Sequence, residues 1–397
     1  MIRPEISYYS DLLQHLKLKI LVMTKIRIAC LFLLLPLCVA AQKKKPGQQE
    51  VIKVPLEAGH WAFQPGTVEF ITYKSVPAMK LLHSNDTVVL KDLDFTNGTI
   101  EYDVQATSPF ASFYFRRMSR KENECFYFRT PLSGTGDAVQ YAPHIDGINL
   151  WDMLDQYQSV AWFSNDDWNH VKLVISGKQM RVYVNDTSRP VLEVPRLEGN
   201  TWHGGLAFDG QAIIANLVVK PDQTEGLPPG EGIDITNNDA SYLRTWQISQ
   251  PMNTPEKIDF SMAWKPGTDA PWETIRAERR GLVNVTRKFG SAENRARRIV
   301  WLKTNIRSAV AQTRQLHLGF SDEVWVFING KYLYVDKNRY GSPLLKQPDG
   351  RCTVDNASFP LPLVAGDNEV LIALANDFYG WGIMAKLDKF EDMTFDK

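Results

Sequence analysis

The chain has 397 residues, 44% of them hydrophobic and 23% charged, with 45 basic and 45 acidic side chains. That composition excludes a disordered or fibrous chain, and the neutral balance argues against nucleic acid as a partner, because phosphate binding draws on a clustered basic excess. A length beyond the roughly 250–300 residues at which single cores stop growing predicts two or three domains, and 11 Trp, 14 Tyr and 19 Phe suit β-sandwich cores and sugar-stacking surfaces alike.

The first segment reads as a targeting sequence. Ile28–Val39 carries no charge, follows Lys25 and Arg27, and runs into Val39-Ala40-Ala41 before Gln42. A basic start, a short apolar stretch and small residues at the exit make a secretory signal, cleaved after Ala41. The stretch is shorter than the roughly 20 apolar residues of a membrane span. Loss of residues 1–41 leaves a net charge of −3 and only Cys125 and Cys352, which are expected as two buried thiols rather than a disulfide framework. The expected location is the periplasm, the cell surface or the medium.

After a polar linker (42–58), short strands separated by turns are expected over 59–221. In Thr99–Gln105 the apolar Ile100, Tyr102 and Val104 alternate with polar neighbours, the period of a half-buried strand. Ala111–Phe115, Cys125–Arg129, His170–Ile175, Met180–Val184 and Ile213–Val219 repeat the pattern, with Ser176-Gly177-Lys178 and Asn185-Asp186 as turns. Residues 222–240 are rich in Pro, Gly and acids and are expected to connect two domains without burying much. A second β region, 241–397, has its clearest strands at Arg298–Thr304, Gln315–Phe320, Glu323–Ile328, Lys331–Val335, Asn368–Ala375 and Gly382–Leu387. Asn329-Gly330 between two of them predicts a hairpin with a type I′ turn. The expected fold class is all-β, two antiparallel β-sandwich (jelly-roll) domains behind a signal peptide.

Phe95–Val104, Phe126–Arg129, Ala138–Pro143 with Trp151, Trp168–Gly177, Arg181–Asn185, Gly204–Ala207 and Ala215–Val218 form an ordered set covering nearly all of 60–220. That set resembles the concanavalin A-like lectin/glucanase superfamily, including laminin-G-like modules and domains of the 3-keto-disaccharide hydrolase type. Leu318–Lys331, Leu361–Leu363 and Gly366–Ile372 make the second region similar to galactose-binding-like sandwiches. These resemblances imply jelly-roll folds and a carbohydrate partner, and they span lectins, receptors and enzymes alike.

Retaining glucanases of that superfamily carry E-x-D-x-x-E, whose two Glu carboxylates stand roughly 5–5.5 Å apart as nucleophile and acid/base. Here Glu101 and Asp103 are followed by Ala106 where the second Glu would stand, so that mechanism is not available at this segment and the pair reads as the solvent face of a strand. Between the strands, Asp137, Gln140, Tyr141, His144, Asp146 and Trp151 fall close together in a Gly/Pro-rich stretch. An aromatic plate with neighbouring hydrogen-bonding groups is what a pyranose requires, and His144 with Asp146 could form a general acid/base pair. Each of these residues taken singly also fits simple packing. Tyr340, Tyr379 and Trp381 make a second aromatic set in the other domain.

Three functions follow: an exported bacterial carbohydrate-binding protein, a sugar-acting hydrolase or lyase with its site in 137–151, or a non-catalytic cell-surface module. No catalytic residue and no metal ligand is singled out, no zinc spacing is present, no cofactor is called for, and calcium stays open. Export makes the first testable expectation: Edman sequencing of the protein from its native envelope or medium begins at Gln42. An intact N-terminus upstream of Met23 on a cytoplasmic protein would overturn it.

Overall fold

Alternation of apolar and polar side chains becomes pleated antiparallel sheet nearly everywhere in the computed structural model, which describes residues 50–254, 265–267, 269–291 and 296–395. The apolar segment Ile28–Val39 and its cleavage site lie outside them. In the strand Gly98–Ala106, Ile100, Tyr102 and Val104 point into the core. Glu101 and Asp103 point outward, paired with Lys220 at 2.7 Å and His170 at 2.8 Å.

Two sheets face each other in the first sandwich. One runs, in spatial order, Leu192–Val194, Gln179–Val184, Asn169–Ser176, Gly98–Ala106, Ala212–Pro221, Val76–Leu81 and Val68–Tyr73. Its partner runs Gln158–Ser159, Val139–Tyr141, Glu124–Arg129, Phe110–Arg117, Gly205–Asp209, Val88–Leu90 and Trp61–Ala62. Between them Tyr102, Phe113 and Phe208 meet at ring-centroid distances of 5.0–5.1 Å, within the range at which tilted aromatic pairs attract.

The second sandwich sets Trp272–Arg276, Thr245–Ser249, Arg298–Ser308, Gly366–Asn376, Asp322–Ile328 and Lys331–Asn338 against Leu282–Asn284, Gly382–Leu387, Gln312–Phe320 and Ala357–Leu363. Its core holds Trp246, Phe320, Val326, Phe359 and Trp381. Asn329 and Gly330 have φ of 49° and 75°, as the hairpin between Asp322–Ile328 and Lys331–Asn338 requires.

The connector is less free than its composition implies. Leu227 is buried against Val174 and Tyr183, the Lys178 amide donates to the Pro229 carbonyl at 3.0 Å, and the Gly232 amide donates to Pro195 at 2.7 Å. Its prolines and most of its acids stay at the surface, while a few backbone groups and Leu227 fasten it to the first sandwich and the buried Asp234 accepts the Arg280 amide of the second at 3.0 Å.

The two sandwiches meet over a packed junction and together form one compact unit. Leu282, Cys352 and Met384 of the second sandwich join the first sandwich's hydrophobic cluster. Asp152 is buried there: its carbonyl accepts the Cys352 amide at 2.7 Å, and its carboxyl accepts the Gly380 amide at 3.1 Å. Gly380 also has no room for a side chain, because a Cβ would stand 2.3 Å from Met153. Cys125 and Cys352 are both buried and free.

Removing a buried acceptor strands its donor at a cost of about 1–3 kcal/mol. Asp152→Ala is therefore expected to lower unfolding stability by about that much, measured by urea denaturation with tryptophan fluorescence. Asp152→Asn keeps an acceptor oxygen and is expected to lose less. Equal stability of the Ala variant and the parent would show that the Gly380 contact contributes nothing.

Candidate functional site

The outward face of the sheet containing Glu124–Arg129 begins the site. Along that strand Phe126 and Phe128 turn into the core, while Cys125, Tyr127 and Arg129 turn outward. Trp151 and its neighbours lie over this outer face and pack on Cys125, Tyr127 and Ala142.

A hydrogen-bond network fixes that cover. The Tyr127 hydroxyl donates to Gln140 Oε1 at 2.6 Å, and Gln140 Nε2 donates to the carbonyls of Trp151 at 2.8 Å and Leu154 at 3.3 Å. Arg129 donates to the Tyr127 hydroxyl at 3.0 Å, to Gln158 Oε1 at 3.1 Å and to the Asp137 carbonyl at 3.0 Å. Burial pulls the Arg129 guanidinium below its ordinary pKa, and these neutral acceptors satisfy its donors away from water. Trp151 is thereby held in one place on a rigid sheet.

Its ring meets the second sandwich edge-on, 4.9 Å from Tyr340 and 6.0 Å from Tyr379. Tyr340 lies nearly parallel to Phe378 at 5.7 Å, and Phe378 meets Tyr379 at 4.4 Å. The Arg351 guanidinium stands 5.5 Å from the Trp151 ring centre and 3.5 Å from the Asp137 carboxylate. Beside Phe378, Arg339 pairs with Asp377 at 2.6 Å. Tyr340 is 51% exposed, Tyr379 44% and Phe378 40%. This is an aromatic platform built jointly by both sandwiches, with the partly exposed Asp137, Arg339 and Asp377 at its rim and the buried Arg351 packed against Trp151.

Local backbone chemistry places the second sandwich's share. Asn338 is buried, donates to the Phe320 and Arg351 carbonyls at 3.0 and 3.2 Å, and accepts the Lys346 amide at 2.8 Å, which pins the loop carrying Tyr340. Asp322 accepts the amides of Asp377 at 2.5 Å and Phe378 at 3.0 Å; burial pushes its carboxyl up to about 7 despite those bonds. Tyr379 itself has φ of 53°, a strained conformation for a bulky residue that persists only where the surroundings enforce it.

The residues expected from sequence fall into three groups. Asp137, Trp151, Tyr340 and Tyr379 come together on the platform. Gln140 supports it from beneath, fully buried. Tyr141 and Trp381 face the cores: the Tyr141 hydroxyl donates to Glu124 Oε2 at 2.6 Å, and Trp381 packs inside the second sandwich. The His144–Asp146 acid/base pair does not form. Burial depresses His144 to about 4, and Asp146 is taken up by Lys121 at 3.0 Å and by the amide and hydroxyl of Ser291 at 2.9 and 3.0 Å.

Phe378, Arg339 and Arg351 were not singled out from sequence. The aromatic run Phe378-Tyr379 was the available signal, but two arginines in separate loops carry no motif. Among the described residues, no helix is long and apolar enough to cross a membrane. Nor could any group of three or more His, Cys, Asp or Glu side chains hold a metal there.

No protein-family model and no curated protein matches the chain. Solved structures are similar over part of it. The carbohydrate-binding module CBM66 from Bacillus subtilis is 13% identical over 41% of this chain and 96% of its own, with a TM-score of 0.32. A Bacillus licheniformis β-glucanase is 10% identical over 45% of this chain and 100% of its own, at 0.31. A family 35 carbohydrate-binding module from an environmental isolate is 14% identical over 24% of this chain and 68% of its own, at 0.19. At these scores the likenesses carry no weight for the function of this chain.

Beneath the sheet, Glu124 and Glu198 share the Tyr141 hydroxyl, which donates to Glu124 and accepts the Glu198 amide at 2.6 Å. Burial pushes both carboxyls up to about 7, against the pull of Tyr141 and Arg116 on Glu124. An unfolded Glu titrates near 4.3, so between about 4.5 and 7 the folded state binds the extra proton and stability falls as pH rises. Gln imitates the protonated form. Relative to Glu124→Gln, the parent is expected to lose on the order of 3 kcal/mol across that window, measured as urea midpoints at stepped pH. A pH-independent difference would show that Glu124 titrates normally.

Proposed function

We propose that this protein is an exported carbohydrate-binding protein whose glycan lies on the platform of Trp151, Tyr340, Phe378 and Tyr379. The observation carrying this reading is the convergence of the half-buried Trp151 ring of the first sandwich with the exposed Tyr340, Phe378 and Tyr379 rings of the second, beside the partly exposed Asp137, Arg339 and Asp377 side chains. A pyranose has an apolar C–H face and a rim of hydroxyls. Rigid rings receive the face by dispersion and burial of apolar area, and the partly exposed Asp137 and Asp377 carboxylates and Arg339 guanidinium receive the hydroxyls.

Rigidity favours binding further. Trp151 is locked by Gln140, and Tyr379 by the turn that Asp322 organises, so little side-chain freedom is lost when a ligand docks. The concanavalin A-like and galactose-binding-like resemblances of the two sandwiches, and the export signal, belong to the same proposal. Within 137–151 the titratable side chains are engaged structurally, His144 by burial and Asp146 by Lys121 and Ser291. Binding is therefore the better reading of that segment than turnover.

A glycan array with the mature protein identifies the ligand class. On a glycan that binds, Trp151→Ala and Tyr340→Ala are each expected to weaken affinity about 10–100-fold, the usual cost of truncating a buried stacking anchor. Isothermal titration calorimetry checks this, with folding confirmed by circular dichroism. Unchanged affinity in both folded variants would remove the glycan from the platform.

A further inference from the structure

A second concavity, of about 280 Å³, opens where the sandwiches adjoin. Asp155 of the first sandwich lines it with Arg280, Gln347, Thr353 and Asp355 of the second, and Tyr242 and Met384 contribute apolar surface. It shares no lining residue with the aromatic platform.

Its central pair is held open. Arg280 Nη1 lies 3.5 Å from Asp155 Oδ1 and donates to Gln156 Oε1 at 3.1 Å. Charge-assisted bonds normally close to about 2.7–2.9 Å, so the guanidinium and the carboxylate both keep bonding capacity for a third group. The backbone holds Arg280 at a cost: φ is 57° at this non-glycine residue, and its amide is tied to Asp234 at 3.0 Å. The following Gly281, φ 77°, cannot carry a side chain, because a Cβ would fall 2.3 Å from the Tyr242 ring. Strain of this kind, enforced by a tether and a close approach, gathers where a side chain is being aimed.

Size and charge select the ligand class. At roughly 30 Å³ per water the space holds about nine waters. That suits one six-membered ring with its hydroxyls and not an oligosaccharide. Two carboxylates against one guanidinium disfavour an anion, whereas vicinal hydroxyls can accept from Arg280 and donate to Asp155 together.

We propose that this cavity is a second ligand site, taking a single neutral polyhydroxylated ring, a pyranose or an inositol, between Asp155 and Arg280. The proposal stands whether or not the platform binds a glycan. A ring seated here touches both sandwiches and so reinforces their junction.

The test is saturation-transfer NMR and calorimetry on the full-length protein with glucose, galactose, mannose and myo-inositol at millimolar concentrations. At least one ring is expected to bind saturably, to bind about tenfold more weakly in Asp155→Asn and Arg280→Gln, and to bind undiminished in Trp151→Ala. Thr353→Val, the mildest change in the lining, is expected to weaken binding by a smaller factor and serves if either charge variant fails to fold. The proposal is overturned if none of the four rings saturates. It is equally overturned if affinity and stoichiometry are unchanged in every folded cavity variant, or if Trp151→Ala abolishes binding while the cavity variants keep it.

Discussion

A buried carboxyl facing a glycine amide holds this molecule together. Asp152 sits at the end of the segment that covers the first sandwich, and its carboxyl accepts the Gly380 amide of the second. Burial raises the Asp152 carboxyl far above the usual carboxylate range, since a charge there would be desolvated with little compensation. Met153, next in sequence, occupies the space that any side chain at position 380 would need. Two successive residues thus fix both the hydrogen bonding and the closeness of the junction. An unmade bond at such a depth is costly, so the relative placement of the sandwiches is tightly set.

The platform follows from that placement. Trp151 precedes Asp152, and Tyr379 precedes Gly380, so the contact that joins the sandwiches brings these two rings within 6.0 Å. Tyr340 and Phe378 complete the surface because Asn338 and Asp322 tie down the turns that carry them. Buried polar groups therefore act at one remove: Gln140, Asn338 and Asp322 touch backbone, and the backbone positions the rings. The cavity beside Arg280 has the same origin, with Asp155 three residues beyond Asp152 and the connector's Asp234 holding the Arg280 amide.

The opposite face of the first sandwich shows what the site is not. There Glu101, Asp103, His170 and Lys220 form a ladder of partly exposed ion pairs on adjacent strands. Their partners hold the pKa of Asp103 down and that of His170 up. Such pairs stabilise little when water reaches them, and the aromatic pair beside them, Tyr73 and Trp168 at 5.6 Å, belongs to the first sandwich alone, whereas rings of both sandwiches meet at Trp151.

Period-two alternation marked Thr99–Gln105 and Cys125–Arg129 from sequence, because a strand with one face in the core places apolar groups at every second position, while Glu323–Ile328 reads as a strand from its unbroken apolar run Val324–Ile328 before Asn329-Gly330. Asn329-Gly330 likewise announced its own turn, since few residues other than Gly and Asn adopt left-handed φ at low cost. Trp151, Tyr340 and Tyr379 were legible as aromatic groups in loops, but not as neighbours. Whether an aromatic faces solvent or core is not a local property: Tyr141 and Tyr340 both sit among polar residues in sequence, yet one is sealed between two glutamates and the other lies half exposed. His144 and Asp146, two residues apart, part at a chain reversal: His144 is buried beside the Tyr114 ring at 5.7 Å, and Asp146 goes to Lys121 and Ser291. Sequence alone determined the strands, the turns and the all-β class, which depend on residues close along the chain. Only the tertiary structure decided which rings share a surface, because that rests on contacts more than two hundred residues apart, such as Asp152 with Gly380.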